Sequence, residues 1–391
     1  MAPSRELSLN VVGALTKAGR TRLMTLAGAM GFVMYGMGYS VPLLKRDMGL
    51  SRSLASIHNI GLAITITLVS FLVPKLIQRH SPRLVMKVGW ILTMVGLISF
   101  AMGKSLWITV PAMSLAGGGA TLFNNTNAAT LGHASGMSMK VMLRQVGVST
   151  ASGAVAPSII GALIRFGVSW RLTLGLFALV LGVIAVKILP QIPARPAMER
   201  RDGERHWDRS LLIMIGFGFS ANFMEVATGS WALDLLISRD VAVGGAVLLV
   251  TLFSYGIAIS RLGISFTSRI SASAVWTVSF VFSFVGLLII IFFRSTSMTV
   301  LGLIIAALGI GPLGPLALMR GALSNKGVDA GIAANVIGVG PALGFGPWIM
   351  GWASDRSGFS WAYSIPLVML LISTAFYMMT TPSRDRKVKV N

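Results

Sequence analysis

Gln191–Arg209, with the sequence QIPARPAMERRDGERHWDR, is the only long charged run in the chain. About six apolar stretches precede it and about six follow it. Its prolines and mixed charges predict a polar linker or a short surface helix rather than a buried segment. The chain is therefore expected to consist of two similar parts, residues 1–190 and 210–391, joined by this linker.

The composition indicates that lipid is the main solvent of the chain. Hydrophobic residues make up 54% of the sequence and charged residues only 12%, and the mean hydropathy is +0.78. A soluble domain carries about twice that share of charge. Because lipid-exposed backbone must satisfy its own hydrogen bonds, we expect an all-α integral membrane protein. The chain has no cysteine, which excludes disulfides and metal–thiolate sites.

Twelve segments approach the length of about 20 apolar residues that a membrane span needs. The first apolar run, Leu23 to Leu44, is too long for a signal peptide and lacks an A-x-A cleavage site, so we expect a retained span. Twelve transmembrane helices in two six-helix bundles are therefore predicted. The predicted spans are 22–44, 53–74, 84–103, 106–132, 139–165, 169–190, 210–237, 241–264, 271–293, 297–320, 328–351 and 360–380.

The distribution of lysine and arginine predicts the orientation. With the N-terminus in the cytoplasm, 24 of the 33 basic residues fall in cytoplasmic segments and 9 in outer loops. This bias predicts that both termini and the linker are cytoplasmic. The net charge of +21 does not indicate a nucleic-acid partner, because the basic residues lie in short loops between apolar runs. The basic tail at 384–391 is instead expected to contact anionic lipid head groups.

Several short motifs resemble those of the major facilitator superfamily. The stretch Pro74–Arg83 is similar to its G-x-x-x-D-R-x-G-R-R loop and keeps Arg79 and Arg83, with Pro74 and Gln78 at the glycine and aspartate positions. The second-half counterpart, Gly256–Arg269, keeps Arg261 and Arg269. The resemblance implies a two-bundle transporter fold in which these four arginines take part in gating.

A second resemblance lies within span 7. Glu225, Gly229 and Trp231 match an E-x-x-x-G-x-W segment of sugar-permease-like members, which are related to fucose–proton symporters. Asn125 and Asn127 are in keeping with this. Span 1 lacks the acidic residue that the fucose symporters carry, so their coupling site is not reproduced intact.

Glu225 is the one acidic residue that we place deep in a predicted span. It lies about 15 residues into span 7, roughly 22 Å along a helix with a rise of 1.5 Å per residue. A charged carboxylate at that depth is costly and faces the protein interior. Desolvation favours the neutral acid, so we expect Glu225 to bind and release a proton during the cycle. The alternative is a structural hydrogen bond to a neighbouring helix.

Other polar residues in the spans are candidates for binding a solute. In span 7 Asn222 shares a face with Glu225, and Trp231, toward the outer mouth, either stacks on the solute or anchors the helix at the membrane interface. Tyr35 and Tyr39 form an i,i+4 pair in span 1 that either offers hydroxyls to the solute or packs at an interface.

Two further positions carry polar or charged candidates. Asn124 and Asn127 of span 4 approach one face and are expected to line a cavity. Arg144, at the start of span 5, either neutralises an anionic solute or is an ordinary cytoplasmic charge. His58 and Asn335 are more often structural residues in such positions.

The sequence therefore predicts a secondary transporter rather than an enzyme. It contains no HExxH, no GxSxG and no phosphate-binding loop, and it suggests neither a cofactor nor a metal. We expect a monomer in the bacterial inner membrane that moves a small polar or anionic solute by alternating access, coupled to protons. The alternatives are an exporter of drugs or siderophore-like metabolites and a non-transporting receptor or lipid scramblase. A scramblase should have an apolar groove that opens sideways to lipid.

Overall fold

The computed structural model describes residues 16–134, 139–192, 209–266, 271–322 and 328–380. We call residues 16–192 the first half and residues 209–380 the second half. The first half ends in a short 3-10 helix, Leu189–Gln191. Its α-helices are α1 (Lys17–Asp47), α2 (Arg52–Ala55), α3 (Ile57–Arg79), α4 (Pro82–Met102), α5 (Leu106–Ala134), α6 (Met139–Arg165) and α7 (Trp170–Ile188).

The described residues of the second half form eight α-helices. Most of the charged linker, Arg269 and the basic tail lie outside the described residues. The helices are α8 (Arg209–Ser230), α9 (Ala232–Ile237), α10 (Val243–Phe266), α11 (Ala272–Phe292), α12 (Thr296–Ile310), α13 (Leu313–Ala322), α14 (Val328–Ala362) and α15 (Ser364–Thr380).

The helices have the length and composition of membrane spans. Among the described residues, nine helical segments are long and apolar enough to cross a bilayer, or up to ten if the bent segment 337–380 counts as one span. That segment bends by 76°, and within α14 Gly358 has a non-helical backbone with φ of 75°. The helix α1 is not among the nine; its middle contains four glycines, two tyrosines and a serine. The count of twelve spans stays a prediction.

Serine residues mark where many of the helices begin. A serine side chain just before a helix accepts a hydrogen bond from a first-turn N–H that has no partner inside the helix. The capping serines lie in the turns between helices, where a polar side chain can reach water or lipid head groups. The serines that cap helices in this way are Ser51, Ser81, Ser169, Ser271 and Ser295.

The most extensive packing between the two halves is that of two helix pairs. Helix α6 packs on α10, and α3 packs on α14. On α14 the absence of side chains lets the halves approach closely, because a Cβ at Gly344 would lie 2.8 Å from the Ala63 Cβ, and a Cβ at Gly340 would lie 2.0 Å from the Thr67 Oγ1. These glycines are therefore part of the contact between the halves, where small residues are typical of membrane helix packing.

Other glycines serve packing inside one half. The helices α4 and α5 cross at Gly89 and Gly119. A Cβ at Gly119 would lie 2.5 Å from the Gly89 carbonyl oxygen and 2.6 Å from the Thr93 nitrogen. Both of these neighbours are backbone atoms, so they cannot move aside as a flexible side chain would.

The substitution Gly119→Ala is expected to destabilise the protein, because the added methyl forces two backbones apart at a cost of about 1–3 kcal/mol. The midpoint of thermal unfolding of the purified protein measures this. Gly182→Ala on α7 is the matched control, since a Cβ there meets nothing within 4 Å and alanine favours the helix over glycine. Equal unfolding midpoints for the two variants would contradict the packing assignment.

Candidate functional site

Glu225 forms an ion pair inside the protein. It lies on α8, and its Oε2 accepts a hydrogen bond from Arg261 Nη2 on α10. Its other oxygen, Oε1, accepts a hydrogen bond from the Tyr35 hydroxyl on α1 at 3.2 Å. The carboxylate is thus bound by a cation of its own half and a hydroxyl of the other half. We call Glu225 and Arg261 the central pair.

Arg261 is held by two groups besides Glu225. Its Nε donates to the Gly311 carbonyl oxygen at 3.0 Å, and its Nη1 donates to Thr150 Oγ1 on α6 at 2.9 Å. The Gly311 carbonyl lacks the usual helical donor because the residue four positions later is Pro315, which has no N–H. The break between α12 and α13 therefore supplies a backbone acceptor for the guanidinium.

Arg261 lies inside the protein. The resemblance implies a gating role for it, and the structure places it against α6, α8 and the α12–α13 break. Its side chain is only 9% exposed. The pairing was not predicted from the sequence, although the charges carry a signal for it: an arginine inside a span needs an acidic partner, and Glu225 is the one carboxylate predicted at depth. A gating role for Arg261 stays a prediction.

The remaining gating candidates are not brought together by the structure. Arg79 is exposed at the end of α3. Arg83 Nε donates to the Ile192 carbonyl oxygen at 2.6 Å, a contact within the first half. Arg269 lies outside the described residues. Gating by these three arginines stays a prediction.

Hydroxyl groups link the two halves near the central pair. The Ser254 hydroxyl on α10 donates to the Tyr39 hydroxyl on α1 at 2.6 Å. Ser158 on α6 and Tyr255 on α10 are joined by a hydrogen bond of 2.6 Å between their hydroxyls. The Tyr39 ring lies 6.4 Å from that of Tyr35. The two tyrosines of α1 are recognisable candidates in the sequence, but their partners are not, since single hydroxyls in apolar helices carry no distinctive pattern.

The predicted amides have different surroundings. Asn127 is buried and its Nδ2 donates to the Leu23 carbonyl oxygen at 3.1 Å, which ties α5 to α1. Asn222 Nδ2 donates to the Gly218 carbonyl oxygen on its own helix at 2.7 Å. Asn124 is half-buried on α5. The contact of Asn127 is structural, and solute binding by any of the three amides stays a prediction.

Trp231 is enclosed rather than exposed at a mouth. Its side chain is 1% exposed, and its Nε1 donates to the Pro347 carbonyl oxygen on α14 at 2.8 Å. The same carbonyl accepts a hydrogen bond from Ser56 Oγ of the first half at 3.0 Å. This geometry agrees with an anchor for the break between α8 and α9, not with stacking on a solute in this conformation. Arg144, in contrast, is exposed on α6.

His58 has two partners within the first half. Its Nδ1 donates to the Ala55 carbonyl oxygen at 2.8 Å, and its Nε2 lies 2.8 Å from Thr109 Oγ1. These contacts agree with a structural histidine. The side chain of Asn335 is not among the described ones.

A second group of charges joins the halves at the end of the bundle where α1 ends. Asp234 of α9 accepts hydrogen bonds from Lys45 Nζ and from Arg52 Nε, the latter at 3.0 Å. Arg52 Nη1 also donates to Asp355 Oδ1 on α14 at 3.1 Å. The Asp234 side chain is 3% exposed. We call these four residues the Asp234 cluster; in the sequence, its basic members look like ordinary loop charges.

Two apolar cavities adjoin α14. One, of about 470 Å³, lies between α8, α14 and α15. The other, of about 440 Å³, lies between α3 of the first half and α14 of the second, and we call it the α3–α14 groove. It includes the exposed side chains Ile64, Leu68 and Phe345. In the part of the chain that the structure covers, no group of three or more histidine and acidic residues could hold a metal ion.

The arrangement of helices matches that of solved membrane transporters. The nucleoside transporter NupG, solved as a point mutant, has a TM-score of 0.70 at 12% identity, over 93% of this chain and 98% of that chain. The E. coli fucose:proton symporter FucP, also a point mutant, has a TM-score of 0.67 at 13% identity, over 94% and 98%. A bacterial homologue of the human lysosomal transporter Spinster, inward-facing and unoccupied, has a TM-score of 0.71 at 13% identity, over 93% and 97%.

These comparisons establish the fold. The chain has the all-helical fold of the major facilitator superfamily, as the sequence predicted. No model of a known protein family matches the sequence, and no match to it was found among curated protein sequences. The structures compared above are transporters and not enzymes.

Asp234→Asn is expected to loosen this end of the bundle, because Lys45 loses the carboxylate that joins it to the second half and Arg52 keeps only Asp355 there. The chain has no cysteine, so a cysteine replacing the buried Ser254 reports on opening. We expect maleimide labelling of Ser254→Cys to become about tenfold faster, which corresponds to about 1.4 kcal/mol.

Asp47→Asn is the matched control for this experiment. Asp47 lies at the same end of α1, but its carboxylate binds Arg171 of α7, within the first half. It removes one negative charge without touching the contact between halves, so labelling should not change. If both variants accelerate labelling equally, the effect is one of general stability and the cluster does not hold this end closed.

Proposed function

We propose that the protein is a secondary transporter that moves a small polar or anionic solute across the membrane by alternating access. The observation that carries this proposal is the central pair: a carboxylate and a guanidinium inside a lipid-embedded major facilitator fold, contacted by hydroxyls of the other half. Ionisable groups at such a depth are expensive and are typical of transport pathways. In folds of this type, substrate and ion sites lie between the repeats, near the middle of the membrane.

The contacts between halves support a rocking mechanism. Tyr35 and Thr150 of the first half bind Glu225 and Arg261 of the second, so movement of one half against the other must break and remake these hydrogen bonds. At one end the Asp234 cluster holds the halves together. The excess of basic residues on the opposite side supports cytoplasmic termini. In that orientation the cluster closes the outer side of a protein of the bacterial inner membrane.

Proton coupling is assigned to Glu225 in this proposal. The carboxylate side chain is 19% exposed, more than its arginine partner, and it is reached from both halves. Protonation would remove the charge that binds Arg261 and so change the stability of one conformation relative to the other. Such a difference between two states is what a coupled transporter requires.

The neighbours of known structure transport chemically different solutes. They include a nucleoside transporter, a fucose:proton symporter and the human organic anion transporter MFSD10. Proton coupling and anion transport therefore both occur among proteins of this fold. At 12–13% identity they support the choice of class but do not select the solute.

A lipid scramblase is the second candidate, and the α3–α14 groove favours it. The groove is apolar, lies between the halves and is lined in part by side chains exposed on the outside of the bundle. These are the properties expected of a path for an acyl chain.

The scramblase candidate is tested with purified protein in vesicles that carry a fluorescent phospholipid in both leaflets. If an external reductant bleaches about half of the fluorescence, the protein does not scramble lipids. Complete bleaching favours the scramblase over the transporter.

The transporter proposal is tested with the purified protein in vesicles that contain a pH-sensitive dye. We expect one class among added sugars, nucleosides, carboxylates and organic cations to cause proton influx. Glu225→Gln should reduce that influx by about tenfold or more, because an amide cannot carry the proton. Asp240→Asn, which neutralises an exposed loop carboxylate, should leave it unchanged. Full influx with Glu225→Gln would rule out proton transfer at Glu225.

A further inference from the structure

The two members of the central pair are not held equally. Arg261 keeps two acceptors that do not depend on Glu225, namely the Gly311 carbonyl oxygen and Thr150 Oγ1. Glu225 has Arg261 and the Tyr35 hydroxyl as its partners, and its side chain is twice as exposed, 19% against 9%. The cation is therefore fixed in the protein, whereas the carboxylate is the member that can leave.

Removal of the Glu225 charge would leave Arg261 without a counter-ion. Among the described residues, the ion pair that holds Arg261 is the one with Glu225. If Glu225 becomes neutral, a buried guanidinium is left without a counter-charge, which is strongly unfavourable. A second anion that reaches the same place removes that penalty.

Arg261 is the charged group that Glu225 neutralises. The elements packed against α8 present few other ionisable groups. From α1 these are Tyr35 and, one turn along, Tyr39, which is bound to Ser254. Tyr363 donates to the Thr228 carbonyl oxygen, and Arg320 of α13 donates to the Tyr377 hydroxyl of α15.

We propose that Arg261 is the receptor for the carboxylate of a monovalent organic anion, which takes the place of the Glu225 carboxylate when Glu225 binds a proton. This inference rests on the proposed function and specifies its substrate class. The proton goes to Glu225, the Arg261–Glu225 ion pair breaks, and an Arg261–substrate ion pair forms. Site charge is conserved, since one cation faces one anion before and after the exchange.

The geometry favours a carboxylate with one negative charge. Arg261 Nη2, which binds one oxygen of Glu225, is then free to bind one oxygen of the incoming carboxylate. The Tyr35 hydroxyl, released from the other oxygen of Glu225, is placed to donate to the second. A single cation balances a single charge. The hydroxyl pairs Tyr39–Ser254 and Ser158–Tyr255 lie on the same helices of both halves and suit the polar remainder of the solute.

The exchange makes proton binding and anion binding cooperative. Each ligand raises the affinity for the other by the same factor, as linkage requires. Transport of one proton with one monovalent anion moves no net charge. Once a transported carboxylate is known, its rate of pH-driven uptake should therefore not depend on an imposed membrane potential.

Acetate is the probe for the anion site, and acetamide is its neutral isostere. The thermal unfolding of the purified protein is measured with increasing concentrations of either compound. We expect the apparent affinity of the unsubstituted protein for acetate to rise by about tenfold or more between about pH 8 and about pH 6. Glu225→Gln should bind acetate with the higher affinity at both pH values, and acetamide should have no effect on either protein.

The double variant E225Q/R261Q should lose the preference for acetate over acetamide. Asp240→Asn, an exposed loop variant, should behave as the unsubstituted protein. The proposal is overturned if acetate and acetamide stabilise Glu225→Gln equally, or if the double variant keeps the acetate effect. If the variants do not fold, the unsubstituted protein still tests the proposal, because an acetate affinity that does not change with pH also overturns it.

Failure of this inference is distinguishable from failure of the proposed function. The acetate titration needs no membrane and no gradient, whereas the transport assay needs both. Acetate binding without solute-driven proton influx leaves the anion site intact and refutes coupled transport. Proton influx driven by a neutral solute, without acetate binding, refutes the anion site and keeps the transporter.

Discussion

A charge inside a membrane protein must find its partner within the protein, and the centre of this structure is arranged around that constraint. Glu225 and Arg261 neutralise each other, but their ion pair leaves further lone pairs and N–H groups to satisfy. Those are satisfied by Tyr35 and Thr150 of the first half and by the Gly311 carbonyl oxygen. The need to satisfy one ion pair thus creates hydrogen bonds between the two halves.

The same constraint operates at the end of the bundle, and one span connects the two places. Glu225 and Asp234 are nine residues apart on the segment formed by α8 and α9. The break between them is fixed by Trp231, which donates to the Pro347 carbonyl oxygen, an acceptor that also serves Ser56 of the first half. A displacement of α8 at the central pair therefore reaches the Asp234 cluster through a segment that is tied to α14. In the proposed mechanism, this segment is the route by which protonation of Glu225 acts on the Asp234 cluster.

How much of this was predictable from the sequence depends on the range of the interactions. Hydropathy predicted the helical membrane fold, since each span is a local property of about 20 residues. The position of Glu225 deep in span 7 was predictable for the same reason, because it follows from its place within one apolar stretch. Its partners were not, because Arg261 is 36 and Tyr35 is 190 positions away, and such pairs depend on how helices rotate and pack. The Asp234 cluster was missed for the same reason: four charges from α1, α2, α9 and α14 look like separate loop charges in the sequence.

The asymmetry of the central pair has a local origin in the chain. Pro312 and Pro315 interrupt the helix between α12 and α13, and Pro315 cannot donate to Gly311, so a backbone carbonyl is left for Arg261 Nε. A backbone acceptor does not titrate and does not change rotamer, which makes the arginine the permanent member of the pair. A site with a fixed cation and an exchangeable carboxylate selects for anions; a fixed carboxylate with an exchangeable lysine would select for cations. In the proposed exchange at Arg261, the proline-induced break is thus what sets the sign of the solute charge.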